Sequence, residues 1–322
     1  MSNFLFFLSN SQDATCDYLC KIADEEGVDY VRFDTDFCGG DVKIEFDLNK
    51  NIILNVKNRI IKLDDIKCIW NRRPEKIHAG NYGYSPFDRH YKDEWRHSLD
   101  GFFKQIPVNK WINHPYNNVM ALSKIEQLVR ASKYQLSIPK TIVTQSKNSF
   151  LSFLHECKNG IITKPLSHGY IDGEDTVYNI YTSQVDVEKN DFSCLSKCPT
   201  MFQERIEKDY DIRINYIDGL YEAFALKYFE NGFQRLDIRI NNMEGVEYTR
   251  IELPESILFA LTNMIDSYNL RFAAIDMAIT TKGEWVFFEI NPNGQWAWMD
   301  ILGVSSFHKK LINCMLMSQN ND

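Results

Sequence analysis

Three oxygen-bearing side chains near the C-terminus, Asp276, Glu289 and Asn291, are spaced to meet. They lie in the stretch FAAIDMAITTKGEWVFFEINPNGQWAW (272–298). Its β-branched and aromatic residues recur at period two on both sides of a short polar turn. With Lys282-Gly283 as a two-residue hairpin loop, Thr281 faces Glu284, and counting back sets Asp276 opposite Glu289 and Ala274 opposite Asn291. Directly paired Cβ atoms lie roughly 4.5–5.5 Å apart, where like charges repel. Ala274 and Ala278 flank Asp276 on its own face and leave room beside it. Such a set suits a hard cation such as Mg2+, which keeps waters and bridges phosphates. The turn Asn291-Pro292-Asn293-Gly294 closes the group, since proline fixes φ and glycine permits a positive one. The competing reading is a surface hairpin with scattered acids.

Spacing gives no support for other metal chemistry. The eight cysteines form no CxxC pair, and no histidine pattern completes a zinc site around Cys16 and Cys20. Reduced structural thiols are expected. A net charge of −8 argues against a nucleic-acid backbone as partner. The apolar run Phe4 to Leu8 is a buried-strand length, too short to cross a membrane, and no basic segment precedes it. The cytoplasm is therefore the expected compartment.

The elements that must position these side chains read as α/β. A strand at 4–8, an amphipathic helix at 12–26 stopped by Gly27, and a strand at 28–33 make a βαβ start with a parallel pair. Ser9-Asn10-Ser11-Gln12 replaces a glycine fingerprint, so dinucleotide binding is not indicated. Segments 42–47, 51–56 and 59–63 read as antiparallel strands. Arg72 and Arg73 end a short strand and point oppositely, so they serve different partners; arginine forks match carboxylates or phosphates. Ser85-Pro86-Phe87-Asp88 starts a helix running to about Gln105.

A helix over 118–134 is expected to bury Leu122, Ile125, Leu128 and Val129, with Lys124 beside that stripe. A strand at 141–144, a helix at 148–157 and a strand at 160–163 lead to Lys164. The polar stretch SHGYIDGED that follows suits a flap over phosphates. Asp218-Gly219 is a type I′ hairpin signal. Helices are expected from Pro254 to about Tyr268 and over 304–317. Three domains are expected, at 1–112, 113–200 and 201–322.

The order of these signals resembles the ATP-grasp superfamily. Lys124 in Leu122-Ser123-Lys124 and Lys164 in Ile161-Ile162-Thr163-Lys164-Pro165-Leu166 match its two phosphate lysines. Within that superfamily, Trp70-Arg72-Arg73-Pro74, Asp237-Ile238-Arg239 and Phe288-Glu289-Ile290-Asn291-Pro292-Asn293-Gly294-Gln295-Trp296 look most like the microviridin-type, or graspetide, peptide ligases. The chain departs from their pattern at Asn71, where an aromatic is expected, and in the low glycine content of the flap.

The resemblance implies an ATP-grasp fold with an N-terminal pre-ATP-grasp α/β domain, a central domain and a C-terminal ATP-grasp domain. It implies that ATP is held by Lys124, Lys164, the hinge Gln203-Glu204-Arg205-Ile206, the ribose acid Asp211, and Arg239. Mg2+ would be held by Asp276, Glu289 and Asn291. Catalytic roles fall to Lys164, Arg239 and Asn241. Arg72 and Arg73 would contact substrate, while Arg213 either does so or pairs with an acid. The implied reaction activates Asp or Glu side chains of a ribosomal precursor peptide (leader plus core) as acyl phosphates. Ser, Thr or Lys side chains then capture them, closing macrocyclic esters or amides. A homodimer with no nucleic-acid or membrane partner is implied. The nearest rival is an ATP-grasp ligase adding an amino acid such as glutamate to a protein or metabolite.

Overall fold

A parallel sheet opens the chain, built from β1 (Phe4–Ser9), α1 (Ala14–Glu25) and β2 (Tyr30–Asp34) in the expected βαβ order. Every residue of β1 is buried, which explains its unbroken apolar run. Gly27 adopts φ 66° just past α1, a left-handed stop. A three-stranded antiparallel sheet follows: β3 (Val42–Asp47), β4 (Asn51–Val56) and β5 (Arg59–Lys62). Then β6 (Ile66–Asn71) returns to the far side of β1, and after α2 (Pro86–Phe103), β7 (Trp111–Ile112) joins it. The order β2-β1-β6-β7 reverses direction at β1/β6, and ligands bind beyond the carboxyl ends of strands at such a point. The structure is a computed structural model that describes residues 3–37, 42–47, 51–74, 85–167, 169–172, 176–230, 233–234, 236–239 and 243–318.

In place of the single helix expected over 118–134 there are two: α3 (Pro115–Met120), which starts earlier, and α4 (Lys124–Lys133), capped by Ser123. The break rotates the apolar stripe. Gln127, Leu128 and Ala131 are buried in α4, while Leu122, Ile125 and Val129 stay 54%, 47% and 68% exposed. A polar residue, Gln127, took the inward position that periodicity assigned to apolar ones.

The middle of the chain carries β8 (Thr141–Thr144), α5 (Lys147–Glu156), β9 (Ile161–Thr163), a hairpin of β10 (Tyr170–Asp172) and β11 (Val177–Asn179), β12 (Ser183–Gln184) and β13 (Thr200–Glu204). Their main sheet has the order β12-β9-β13-β8, and Phe150 and Phe153 of α5 pack on Ile161 and Phe202.

The last sheet has the order β18-β15-β14-β19-β20, from β14 (Lys208–Ile217), β15 (Leu220–Lys227), β18 (Glu247–Ile251), β19 (Phe272–Thr280) and β20 (Trp285–Asn291). Two short strands, β16 (Phe229–Glu230) and β17 (Phe233–Gln234), lie between β15 and β18. Asp218 and Gly219 both take positive φ (44° and 85°), as the type I′ reading requires. Helix α6 (Glu255–Ser267) covers one face through Leu261, Met264 and Ile265 against Ile212, Ile214, Ile275 and Met277. Helices α7 (Ala297–Ile301) and α8 (Phe307–Met317) close the chain. Leu311 and Met315 of α8 share a core with Phe7, Trp70, Phe272 and Trp296, fastening the first sheet to the last. Among the described residues, no helix is long and apolar enough to cross a membrane.

Candidate active site

Asp276 pairs with Glu289 and Ala274 with Asn291, so the expected register of the acids holds. The route to it differs. Thr280 N–H donates to Glu284 O at 2.9 Å, which leaves a three-residue connection, Thr281-Lys282-Gly283, with Gly283 at φ 81°. That shifts the pairing by one, so that Met277 faces Phe287. Phe288 then stands as an unpaired bulge residue that restores the count. The bulge also turns Phe288 and Glu289 together to the half-buried face opposite α6.

A third row completes this face. Arg213 of β14 lies opposite Asp276, its Nη1 2.8 Å from Asp276 Oδ1 and its Nη2 2.5 Å from Gln295 O. Of the two readings of Arg213, the pairing with an acid is the one the geometry displays. Facing carboxylates repel by about 3 kcal/mol at an effective dielectric constant of about 20, before solvent screening. The guanidinium offsets part of that.

A second bulge at Asp209 brings Lys208, opposite Thr280, onto the face of Asp211 and Arg213. Lys208 Nζ lies 2.5 Å from Asp211 Oδ1 and 3.2 Å from Leu236 O, while Gln234 Nε2 reaches Asp211 Oδ2 at 3.1 Å. Burial still holds the Asp211 carboxyl above its usual pKa, outweighing Lys208.

Lys124 lies in the field of Glu289, and Lys164 in that of both acids. Burial pushes both ammonium groups below the ordinary lysine range, and the Glu289 charge opposes this in each. Each lysine lowers the other or is lowered by Arg239, so the three cations share one field. Lys124 Nζ donates to Pro165 O at 2.6 Å and Ser167 O at 3.3 Å, tying α4 to the segment after Lys164. The ammonium groups of Lys164 and Lys208 sit 5.9 and 6.0 Å from the Phe288 ring centre. Arg239 forks onto Asp237 through Nε (2.9 Å) and Nη2 (2.5 Å), which raises its pKa further. Asn241 lies outside the described residues.

Around the closing turn, glycine is required for a reason other than φ. Gly294 does not take a positive φ; a Cβ built there would stand 2.1 Å from Ala274 Cβ and 3.1 Å from Arg213 Nη2. Close approach, not backbone freedom, selects glycine. Asn113 donates to Phe272 O (2.8 Å) and Pro292 O (3.1 Å), bracing this turn from the first lobe. Arg72 and Arg73 do part company. Arg72 is buried, donates to Asn293 O and lies 3.2 Å from Asp13 Oδ2, and burial lowers its pKa to about 10. Arg73 is exposed.

In the segment expected to form the hinge, Gln203 is buried with its Nε2 2.8 Å from Thr141 Oγ1. Glu204 N donates to Lys140 O (2.9 Å), Arg205 N to Gly160 O (3.0 Å) and Arg205 Nη1 to Gln184 Oε1 (3.1 Å). Ile206 follows directly, leading into β14. Lys208, Gln234, Phe288 and Gln127 belong to the site region and were not singled out from sequence. The first and third depend on bulges, which leave no mark in a period-two pattern.

The donor set fits Mg2+. It offers two carboxylates and an amide oxygen on one sheet face, with alanines at 274 and 278 and no Cβ at 294 to crowd them.

No family model matches the chain, and no curated protein sequence matches it. Solved structures do. The macrocyclase MdnC from Microcystis aeruginosa MRC, bound with precursor peptide MdnA, is 23% identical with a TM-score of 0.84, covering 98% of this chain and 100% of that one. The Chryseobacterium gregarium RiPP-associated ATP-grasp ligase, in complex with ADP and a leader and core peptide, is 25% identical with a TM-score of 0.82, covering 97% and 95%. D-alanyl-alanine synthetase A from Vibrio cholerae is more distant, at 12% identity and a TM-score of 0.59. The chain has the ATP-grasp fold, in the arrangement of a RiPP-associated ATP-grasp ligase and of a macrocyclase bound with its precursor peptide.

Proposed function

We propose that the chain is an ATP-dependent peptide ligase of the graspetide type. It activates Asp or Glu side chains of a ribosomal precursor peptide and joins them to Ser, Thr or Lys side chains of the same peptide. The observation that carries this is that Lys124, Lys164 and Arg239 all feel the Glu289 charge, and the last two that of Asp276 as well, in a chain similar along its whole length to peptide-bound ligases.

A carboxylate does not condense with a hydroxyl or amine in water. The peptide carboxylate attacks the terminal phosphorus of ATP, ADP leaves, and the acyl phosphate then loses phosphate to the incoming nucleophile. Positioning and charge neutralisation do most of this work, so no enzyme nucleophile is needed. A Mg2+ held there would supply charge neutralisation for the phosphates. Lys124, Lys164 and Arg239 supply the fixed positive field, and the resemblance gives Asn241 a catalytic role together with Arg239. Asp276, Glu289 and Asn291 would hold the cation. Gln203 to Ile206 receive the base and Asp211 the ribose; the exposed Arg73 is offered to the peptide, while Arg72 braces the turn at Asn293 and Arg213 holds Asp276. The division at 1–112, 113–200 and 201–322 and a homodimer belong to the same reading. The exposed strip Leu122, Ile125 and Val129 supports self-association.

Incubation with ATP, Mg2+ and a small peptide encoded beside the gene tests the proposal. Product lighter by one water per ring, with ADP formed, is expected. Unchanged peptide mass with intact ATP overturns it, and consumption of a free amino acid selects the amino-acid-adding alternative.

A further inference from the structure

The outer edge of β20 carries the two residues that flank Ile290, namely Glu289 and Asn291. An edge strand presents backbone N–H and C=O groups with no neighbouring strand to take them. Here two different groups take them. Phe287 N–H donates to Ser137 O at 2.8 Å. Ile290 is served at both ends by one side chain: its N–H donates to Gln127 Oε1 at 2.8 Å, and its O accepts from Gln127 Nε2 at 2.8 Å. The same Nε2 donates to Ala121 O at 2.6 Å, so the amide uses its acceptor and both donor positions.

Gln127 is 2% exposed and sits one turn after Lys124 on α4, among the neighbours that share a helix face. An aliphatic residue would fill that space at no desolvation cost, so packing does not account for a buried amide. Its bonds do. They fix α4 against the backbone between Glu289 and Asn291, and thereby fix the Lys124 ammonium, which feels the Glu289 charge, relative to both oxygen donors.

We propose that Gln127 is a positioning residue for the nucleotide-metal site, acting as a surrogate strand that registers α4 to β20 so that Lys124, Glu289 and Asn291 converge. The proposal rests on the ligase reading, and its test separates the two. Mg–ATP affinity is measured by calorimetry, and melting temperature in parallel, for the wild type, Gln127→Met, Gln127→Glu and the control Leu128→Ala. Met keeps the length of Gln but offers neither donor nor acceptor of comparable strength. Leu128→Ala opens a cavity beside it without touching the amide.

The expected result is a loss of about 10–100-fold in Mg–ATP affinity for Gln127→Met, the usual size for a residue that orients metal ligands. Leu128→Ala, destabilised at least as much, keeps the wild-type affinity. In Gln127→Glu a carboxylate still accepts from Ile290 N but meets two carbonyl oxygens; protonation restores one donor. Its affinity relative to wild type therefore recovers as pH falls from about 8 to about 6, and this arm stands if the Met variant does not fold. Equal affinity for wild type and Gln127→Met, or a Gln127→Glu profile parallel to wild type, overturns the positioning role alone. A wild type that takes up no Mg–ATP overturns the ligase reading and this role with it.

Discussion

Arg213 and Asp276 face each other across β14 and β19 and are joined at 2.8 Å, Nη1 to Oδ1. The other arm of the guanidinium holds Gln295 O, so one side chain ties the Asp276 carboxylate to the turn beyond β20. A lysine reaches only one of these acceptors. Arg213→Lys should lower kcat/KM for peptide by roughly tenfold or more, with Mg2+ dependence shifted to higher concentration. Unchanged Mg2+ dependence in an ADP-release assay would separate Arg213 from the metal site.

Glu289 faces away from the α6 core and is half-buried, so its removal should spare the fold. Glu289→Ala is expected to abolish peptide modification, at least about a thousandfold in kcat, while the melting temperature moves little. Wild-type-like turnover, followed by mass spectrometry of the peptide, would refute the metal assignment.

Lys164 is held below the ordinary lysine pKa by burial. The unfolded chain then binds more protons than the folded one between the lowered value and about 10.4, so the nucleotide-free protein gains stability as pH rises through that window. A bound triphosphate favours the charged ammonium and reverses the shift. ATP binding at alkaline pH should therefore take up protons, read as a dependence of calorimetric enthalpy on buffer ionisation heat. Lys164→Met should reduce the uptake; no difference between the two proteins would count against it.

Gly294 and Ala274 are in mutual contact range, with no space for a methyl group between them. Gly294→Ala should cost about 1–3 kcal/mol and push the turn off β19. Ala274→Gly in the same chain should return most of it, and a denaturation double-mutant cycle measures the coupling. Strict additivity would mean that the turn relaxes elsewhere.

The strip of Leu122, Ile125 and Val129 gives a fifth test. Ile125→Glu should shift a dimer to monomer in light scattering, with the melting curve little changed because the side chain is already 47% exposed.

Much of this was legible in the chain. The period-two pattern located β19 and β20, and the paired acids followed from counting, although two one-residue deviations had to cancel for the count to succeed. The reading of α3 and α4 failed because four apolar residues in sequence outweighed Ser123, a capping residue that starts a new helix. Gln127 had no apolar signal to announce that it points inward. Gly294 was placed in the right turn for the wrong cause, since a steric demand from Ala274 cannot be seen until the strand and turn are folded together. Lys208 was missed because a bulge, not alternation, sets its face.

The extra residue at Phe288 also has a bearing on how the hairpin stays in phase. A slip of one position that erased it would send Glu289 to the α6 side and bring Ile290 out. Such a slip would also pull the aromatic ring from beneath two ammonium groups. The two ammonium groups over Phe288 thus also favour the observed strand alignment, and a chain that lost them would hold its paired acids less firmly in phase.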